Sequence, residues 1–147
     1  MFKHLFVPVD GSDLSHRAMD GSIALAKQLG AAITGFVVEP DMPISIKSNN
    51  PSTFLKNIED HESKNKSHAN ALLGQFEVRA KEAGVSFKGN AVTAYAVDHA
   101  ILEEATKAGC DLIVMVTHAR GHLAELITGS HTKNVISHGR IPVLVLY

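Results

Sequence analysis

Short apolar runs rich in β-branched residues alternate along this chain with segments whose apolar positions recur every three or four residues. The first kind of pattern reads as a buried strand and the second as a helix with one face on a core. Strand runs fall at Leu5 to Val9, Ala31 to Val38, Val85 to Thr93, Asp111 to Val116 and Pro142 to Leu146. The first run is closed by Asp10-Gly11-Ser12, where Ser12 or Asp13 can cap a helix. That helix carries Ala18, Ile23, Ala26 and Leu29 on its apolar face, with Leu25 flanking it and Gly30 at its end. Further helices are expected from near Ser52 to Gly84, from Ala96 to Ala108 and from Ser130 to His138. Strands that alternate with helices predict an α/β fold, a parallel, doubly wound (Rossmann-like) sheet with right-handed crossovers. Ligands of such sheets sit beyond the carboxyl ends of the strands, where strand order switches. The loops after Val9, Val38, Thr93 and Val116 are therefore the places for a site.

Two stretches depart from the simple alternation. Glu39 to Ser52 holds Pro40, Pro43 and Pro51 with Ser48-Asn49-Asn50, which predicts a long loop. The helix after it is two-sided along its length: KNIEDHESKNKSH is polar apart from Ile58, whereas Ala69, Leu72, Leu73, Phe76, Ala80 and Ala83 form an apolar face. The first half is expected to project beyond the sheet, with Lys56 to Lys66 as a solvated face, and the second half to pack on it. The third strand is the weakest pattern, interrupted by Lys88, Gly89 and Asn90.

Composition narrows the class. The chain has 147 residues, 45% of them hydrophobic and 20% charged, which suits one domain over residues 1–147 with a sizeable core. A formal net charge of −1 leaves no basic footprint for nucleic acid. The single Cys110 rules out an intrachain disulfide and a Cys-based metal cage, and reads as a small buried apolar residue. MFKHLFVPVD is too short and polar for a signal peptide, and no apolar run approaches a membrane span, so cytoplasmic localisation is expected.

Candidate chemistry gathers in the last third, DLIVMV-THARGHLAELITGS-HTKNVISHGR-IPVLVLY. A buried strand, a polar loop and a Gly129-Ser130 helix start form a layout that turns backbone N–H groups toward an anion. Ser130 and Thr132 suit a phosphate, and equally suit plain N-capping. Nine histidines invite a metal, but His118 and His122 at i, i+4, with His131 near, lack a carboxylate or thiol at ligand spacing, so no metal site is assigned. There is no G-x-x-x-x-G-K-[ST] loop, G-x-G-x-x-G fingerprint or G-x-S-x-G elbow, and no motif pairs a nucleophile with a base. A binding protein is expected rather than a dedicated enzyme, with slow nucleotide hydrolysis the most turnover to look for.

VPVDGSDLSHRAMDGSIALAKQLGA, AILEEATKAGCDLIVMVTHARG and GSHTKNVISHGRIPVLVLY together resemble the universal stress protein (UspA-like) family over essentially the whole chain. The resemblance implies a five-stranded sheet in the order 3-2-1-4-5 with about four helices on its two faces. It implies a homodimer paired through the last strand, Pro142 to Leu146, and in one branch ATP bound beyond strands one and four. Carried onto this chain, the ligand positions are Pro8, Val9, Asp10, Val38, Met115, Val116, His118, Ala119, Arg120, Gly121, Gly129, Ser130, His131 and Thr132. Asp10 corresponds to an acidic residue near ribose and phosphates, though an Asx-turn closing the first strand needs the same residue. Val38 would lend backbone groups to adenine, and Arg120 would pair with phosphate or lie solvated on the surface.

The branch motif G-x2-G-x9-G followed by Ser or Thr is incomplete. Aligned on Gly129-Ser130, its first two glycines fall at Val116 and Ala119, and Gly121 is out of register. A β-branched side chain at Val116 resists the unusual backbone a glycine allows. Tyr95 and Val97 replace a Gly and Pro before the third helix, and Tyr95 would close part of the crevice. Two functions follow. One is a stress-response protein binding ATP or AMP as a signal, with magnesium only alongside ATP. The other is a dimeric interaction protein of the same fold that has lost the nucleotide.

Overall fold

The structure, a computed structural model, describes residues 1–41, 49–116 and 130–147. Its elements run β1 (His4–Pro8), α1 (Asp13–Leu29), β2 (Ala32–Pro40), α2 (Pro51–Glu82), β3 (Phe87–Ala94), α3 (Val97–Lys107), β4 (Leu112–Val116), α4 (Ser130–His138) and β5 (Val143–Leu146). The strands form one parallel sheet in the order β3-β2-β1-β4-β5. Both the expected strand order and the four helices are found.

Side-chain alternation along the strands divides the core in two. Leu5 and Val7 of β1, Val9 just beyond it, and Leu112 and Val114 of β4 meet Ala18, Met19 and Ile23 of α1 and Leu72 and Phe76 of α2. Phe6, Ile113 and Met115 point the other way, onto Ile101 and Ala105 of α3 and Val135 of α4, with Phe36 of β2 among them. The expected inward residues of α3 are the ones buried. Helix α1 buries Ala18, Ile23 and Ala26 as expected, adds Ser15, Met19 and Ser22, and leaves Leu29 half-buried. Gly30 ends α1 in the left-handed region at φ 61°. Gly35 in β2 answers a packing need: a Cβ there would lie 2.6 Å from the Phe87 ring, which packs against Phe76 at a centroid distance of 4.8 Å.

The end of β2 departs from expectation for a local reason, whereas the third strand and α2 form where their patterns place them. The second strand runs through Glu39 to Pro40, where a loop was expected, and Pro40 pairs with Ala94 of β3. Even-numbered residues of β2 turn their amides toward β1, since the Val9 N–H donates to Phe36 O and the Ala32 N–H to Lys3 O. β1 has ended by then, so the missing N–H of Pro40 costs no ladder bond. The interrupted third strand is complete over eight pairs, and its position at the sheet edge accounts for Lys88 and Asn90. The long helix α2 divides as its pattern predicts: its buried residues are Ala69, Leu72, Phe76 and Ala80, all in the second half.

Candidate functional site

The crevice arises where β1 and β4 stop pairing. Their registered pairs are Leu5↔Leu112 and Phe6↔Ile113, although the strands continue to Pro8 and Val116. Even residues of β1 face β4, as the bond from the Asp111 N–H to His4 O shows. Pro8 thus presents β4 with a nitrogen that has no hydrogen to donate, and the ladder lapses there. Beyond that point lies a cavity of about 350 Å³, at the lower end of the range typical of small-molecule sites.

The walls come from six elements and one turn. Pro8 ends β1 and Val9 and Asp10 follow it, Val38 comes from β2, and Met115 and Val116 end β4. Ser12, Leu14, Ser15 and Ala18 belong to the turn and first helix, Val97 and Ile101 to α3, and His131 and Thr132 to α4. The first turns of α1, α3 and α4 all meet this space, and each carries the positive end of its helix dipole. Apolar walls below and amide-rich helix ends above suit a ligand with a flat apolar body and an anionic group.

Asp10 is the fixed charge among the described residues that line the crevice, and its turn is tightly specified. The Ser12 N–H and the Ser15 hydroxyl donate to Asp10 Oδ1 at 3.0 and 3.1 Å. Ser15 Oγ in turn accepts the Asp10 and Gly11 N–H groups at 3.0 and 2.9 Å. Burial pushes the Asp10 carboxyl up, but the hydrogen bonds from Ser12 and Ser15 outweigh it and hold the group below its ordinary range. The acid is ionised at neutral pH. The Asx-turn expected as one reading of Asp10 is present, and the same residue also lines the crevice. Ser12 is the N-cap residue of α1 by backbone conformation but makes no side-chain cap bond. Ser15 does the work at this turn instead.

On the opposite rim, His131 Nδ1 stands 3.8 Å from Asp98 Oδ1 at the start of α3. Burial of the Asp98 carboxyl is outweighed by its own backbone N–H, a bond from Asn134 and the nearby His99 and His131, which together lower its pKa. Thr132 is buried at 7% exposure. Burial, chiefly, pushes the Cys110 thiol up to about 11, so it is no nucleophile at neutral pH. Among the described residues no group of three or more His, Cys, Asp or Glu side chains is placed to hold a metal, and no helix is long and apolar enough to cross a membrane.

Eight of the sequence-derived positions meet around this one cavity: Pro8, Val9, Asp10, Val38, Met115, Val116, His131 and Thr132. Ser130 is the first residue of α4. His118, Ala119, Arg120, Gly121 and Gly129, together with His122, lie outside the described residues. Tyr95, expected to close part of the crevice, is 94% exposed and does not line it. The sequence reading missed Ser15, because its role depends on a turn that brings residue 15 back over residues 10 and 11. It also missed Val97 and Ile101 as wall residues, although their i, i+4 spacing puts both on one helical face.

The profile described as the Universal stress protein family matches residues 1–146. This chain belongs to that family. It is 28% identical to the universal stress protein YxiE of Bacillus subtilis, in an alignment covering 99% of both chains. The fold is shared with a universal stress protein solved in complex with cAMP, at a TM-score of 0.70 and 23% identity over 99% of this chain and 97% of the other. It is shared too with the universal stress protein of Archaeoglobus fulgidus in complex with dAMP, at a TM-score of 0.62 and 15% identity over 100% and 98%.

Proposed function

We propose that this universal stress protein binds an adenine nucleotide, AMP or ATP, as a signal in the crevice between the parting ends of β1 and β4. The observation that carries the reading is the cavity itself: apolar strand ends and an ionised Asp10 under the first turns of three helices. In this reading the base lies on Val38, Ile101 and Met115, and Asp10 accepts from ribose hydroxyls. The phosphate meets the amides of the first turn of α4 beside Thr132. Fold relatives solved with cAMP and with dAMP support an adenine nucleotide as the ligand class. Magnesium enters only as the companion of ATP. The protein acts in the cytoplasm by binding, as a single domain, and not by dedicated turnover. Mass spectrometry of freshly purified, denatured protein should release AMP or ATP in near-stoichiometric amount. Protein that carries none and acquires none on incubation with millimolar nucleotide would defeat this reading.

A second reading has its own observation. Val116, where the nucleotide-binding branch has a glycine, is paired with Leu146 in the β4–β5 ladder and packs against the first core. It behaves as an ordinary strand residue, and a chain of this kind serves as a dimeric interaction protein without nucleotide. Both readings share the dimer. Strand β5 is an edge strand of Val143, Leu144, Val145 and Leu146, each half-buried and none charged. Pairing Pro142 to Leu146 with the same segment of a second copy covers that edge.

A further inference from the structure

The polar half of α2 is not simply a solvated face. His61, Asn65 and His68 recur at i, i+4 and i+7, so they form one stripe along the helix, and that stripe is docked on the end of β2. Asn65 Nδ2 donates to Pro40 O at 3.1 Å, with His61 Nε2 3.2 Å from the same oxygen. One turn further on, His68 Nδ1 meets Glu39 Oε1 at 2.5 Å. Glu39 is 6% exposed, a carboxylate withdrawn from water that needs a partner to be tolerated there.

The other edge of the His68 ring faces Gly11. Gly11 sits at φ 82°, and a Cβ built on it would lie 2.8 Å from His68 Nε2 and 3.5 Å from Leu72. Only a residue without a side chain leaves room for the ring to lie against this turn. One histidine therefore spans two chain segments. Glu39 follows Val38, and Gly11 follows Asp10, and both Val38 and Asp10 line the crevice.

We infer that Glu39 and His68 are positioning residues, a strut that holds the Asp10-Gly11 turn at a set distance from the end of β2. The link to ligand affinity rests on the nucleotide reading above. The strut itself is a property of the ligand-free protein. Truncating His68 leaves the turn without its outer support, while Ser15 and Asp10 still bond to each other beneath it. The disturbance is then local to the turn and spares the sheet.

Amide hydrogen exchange resolved by NMR, on the full chain without ligand, tests this directly. In His68→Ala the Gly11 and Ser12 amides should exchange about tenfold faster, with amides in the middle of β1 and β4 unchanged. Glu39→Gln should give the same pattern more weakly, and the double variant should be no worse than His68→Ala alone, because both remove one strut. His68→Gln, which keeps a donor for Glu39, should restore part of the protection. Unchanged exchange at Gly11 and Ser12 in both single variants overturns the inference. So does acceleration spread evenly over the sheet, the mark of a general stability loss. Should His68→Ala not fold, His68→Gln and Glu39→Gln carry the same comparison. Binding of AMP is then measured on wild type and His68→Ala. Absence of binding by wild type counts against the nucleotide reading alone, whereas equal affinity in both overturns the link to the crevice even if the turn has loosened.

Discussion

Ser15 carries more of the crevice than its place inside a helix suggests. It is 4% exposed, and its hydroxyl oxygen takes two backbone N–H groups while its hydrogen goes to the Asp10 carboxylate. Ser15→Ala strands two amide donors and takes one donor from the Asp10 carboxylate. The cost should be about 2 kcal/mol of unfolding free energy, measured by urea denaturation at neutral pH. A change within experimental error would mean that water replaces the hydroxyl fully. None of this was readable from the residues in order. A serine in the first turn of a helix is commonplace, and only the return of the turn over itself assigns this one. Asp10 was named chiefly through the family resemblance, while its place after a buried strand pointed only to the Asx-turn. Pro8 was named only for its neighbourhood, yet its missing N–H is what lets β1 and β4 part. Val116 shows the reverse: its branched side chain read correctly as resisting a glycine's backbone, and it takes its place in the ladder.

Among the elements, α2 shows how far periodicity reaches. Its apolar spacing located the buried half, and Phe76 there is fully buried against β2 and β3. Phe76→Ala should cost about 3–5 kcal/mol, whereas Leu55→Ala in the exposed half should stay within about 0.5 kcal/mol. Equal effects in thermal denaturation would contradict the division of the helix. The polar half defeated the same method, since His61, Asn65 and His68 dock through hydrogen bonds and no apolar stripe marks the contact. The strands were legible except at their ends. Whether Pro40 belongs to β2 depends on where β1 stops, which is a fact about a neighbour and not about the segment.

For the molecule as a whole, fold and family agree: a sheet in the order β3-β2-β1-β4-β5 and a family match over residues 1–146. The apolar edge at β5 predicts a twofold pair, and light scattering at micromolar concentration should give twice the chain mass. A monomeric mass under those conditions would count against strand pairing. The central claim is the nucleotide in the crevice. Titration calorimetry of the wild type with AMP and with ATP plus magnesium tests it most directly, with Asp10→Ala as the partner experiment. Saturable binding of either nucleotide below millimolar concentration, weakened about tenfold or more in Asp10→Ala, is the expected result. No heat of binding up to millimolar nucleotide, or binding that Asp10→Ala leaves unchanged, would contradict it.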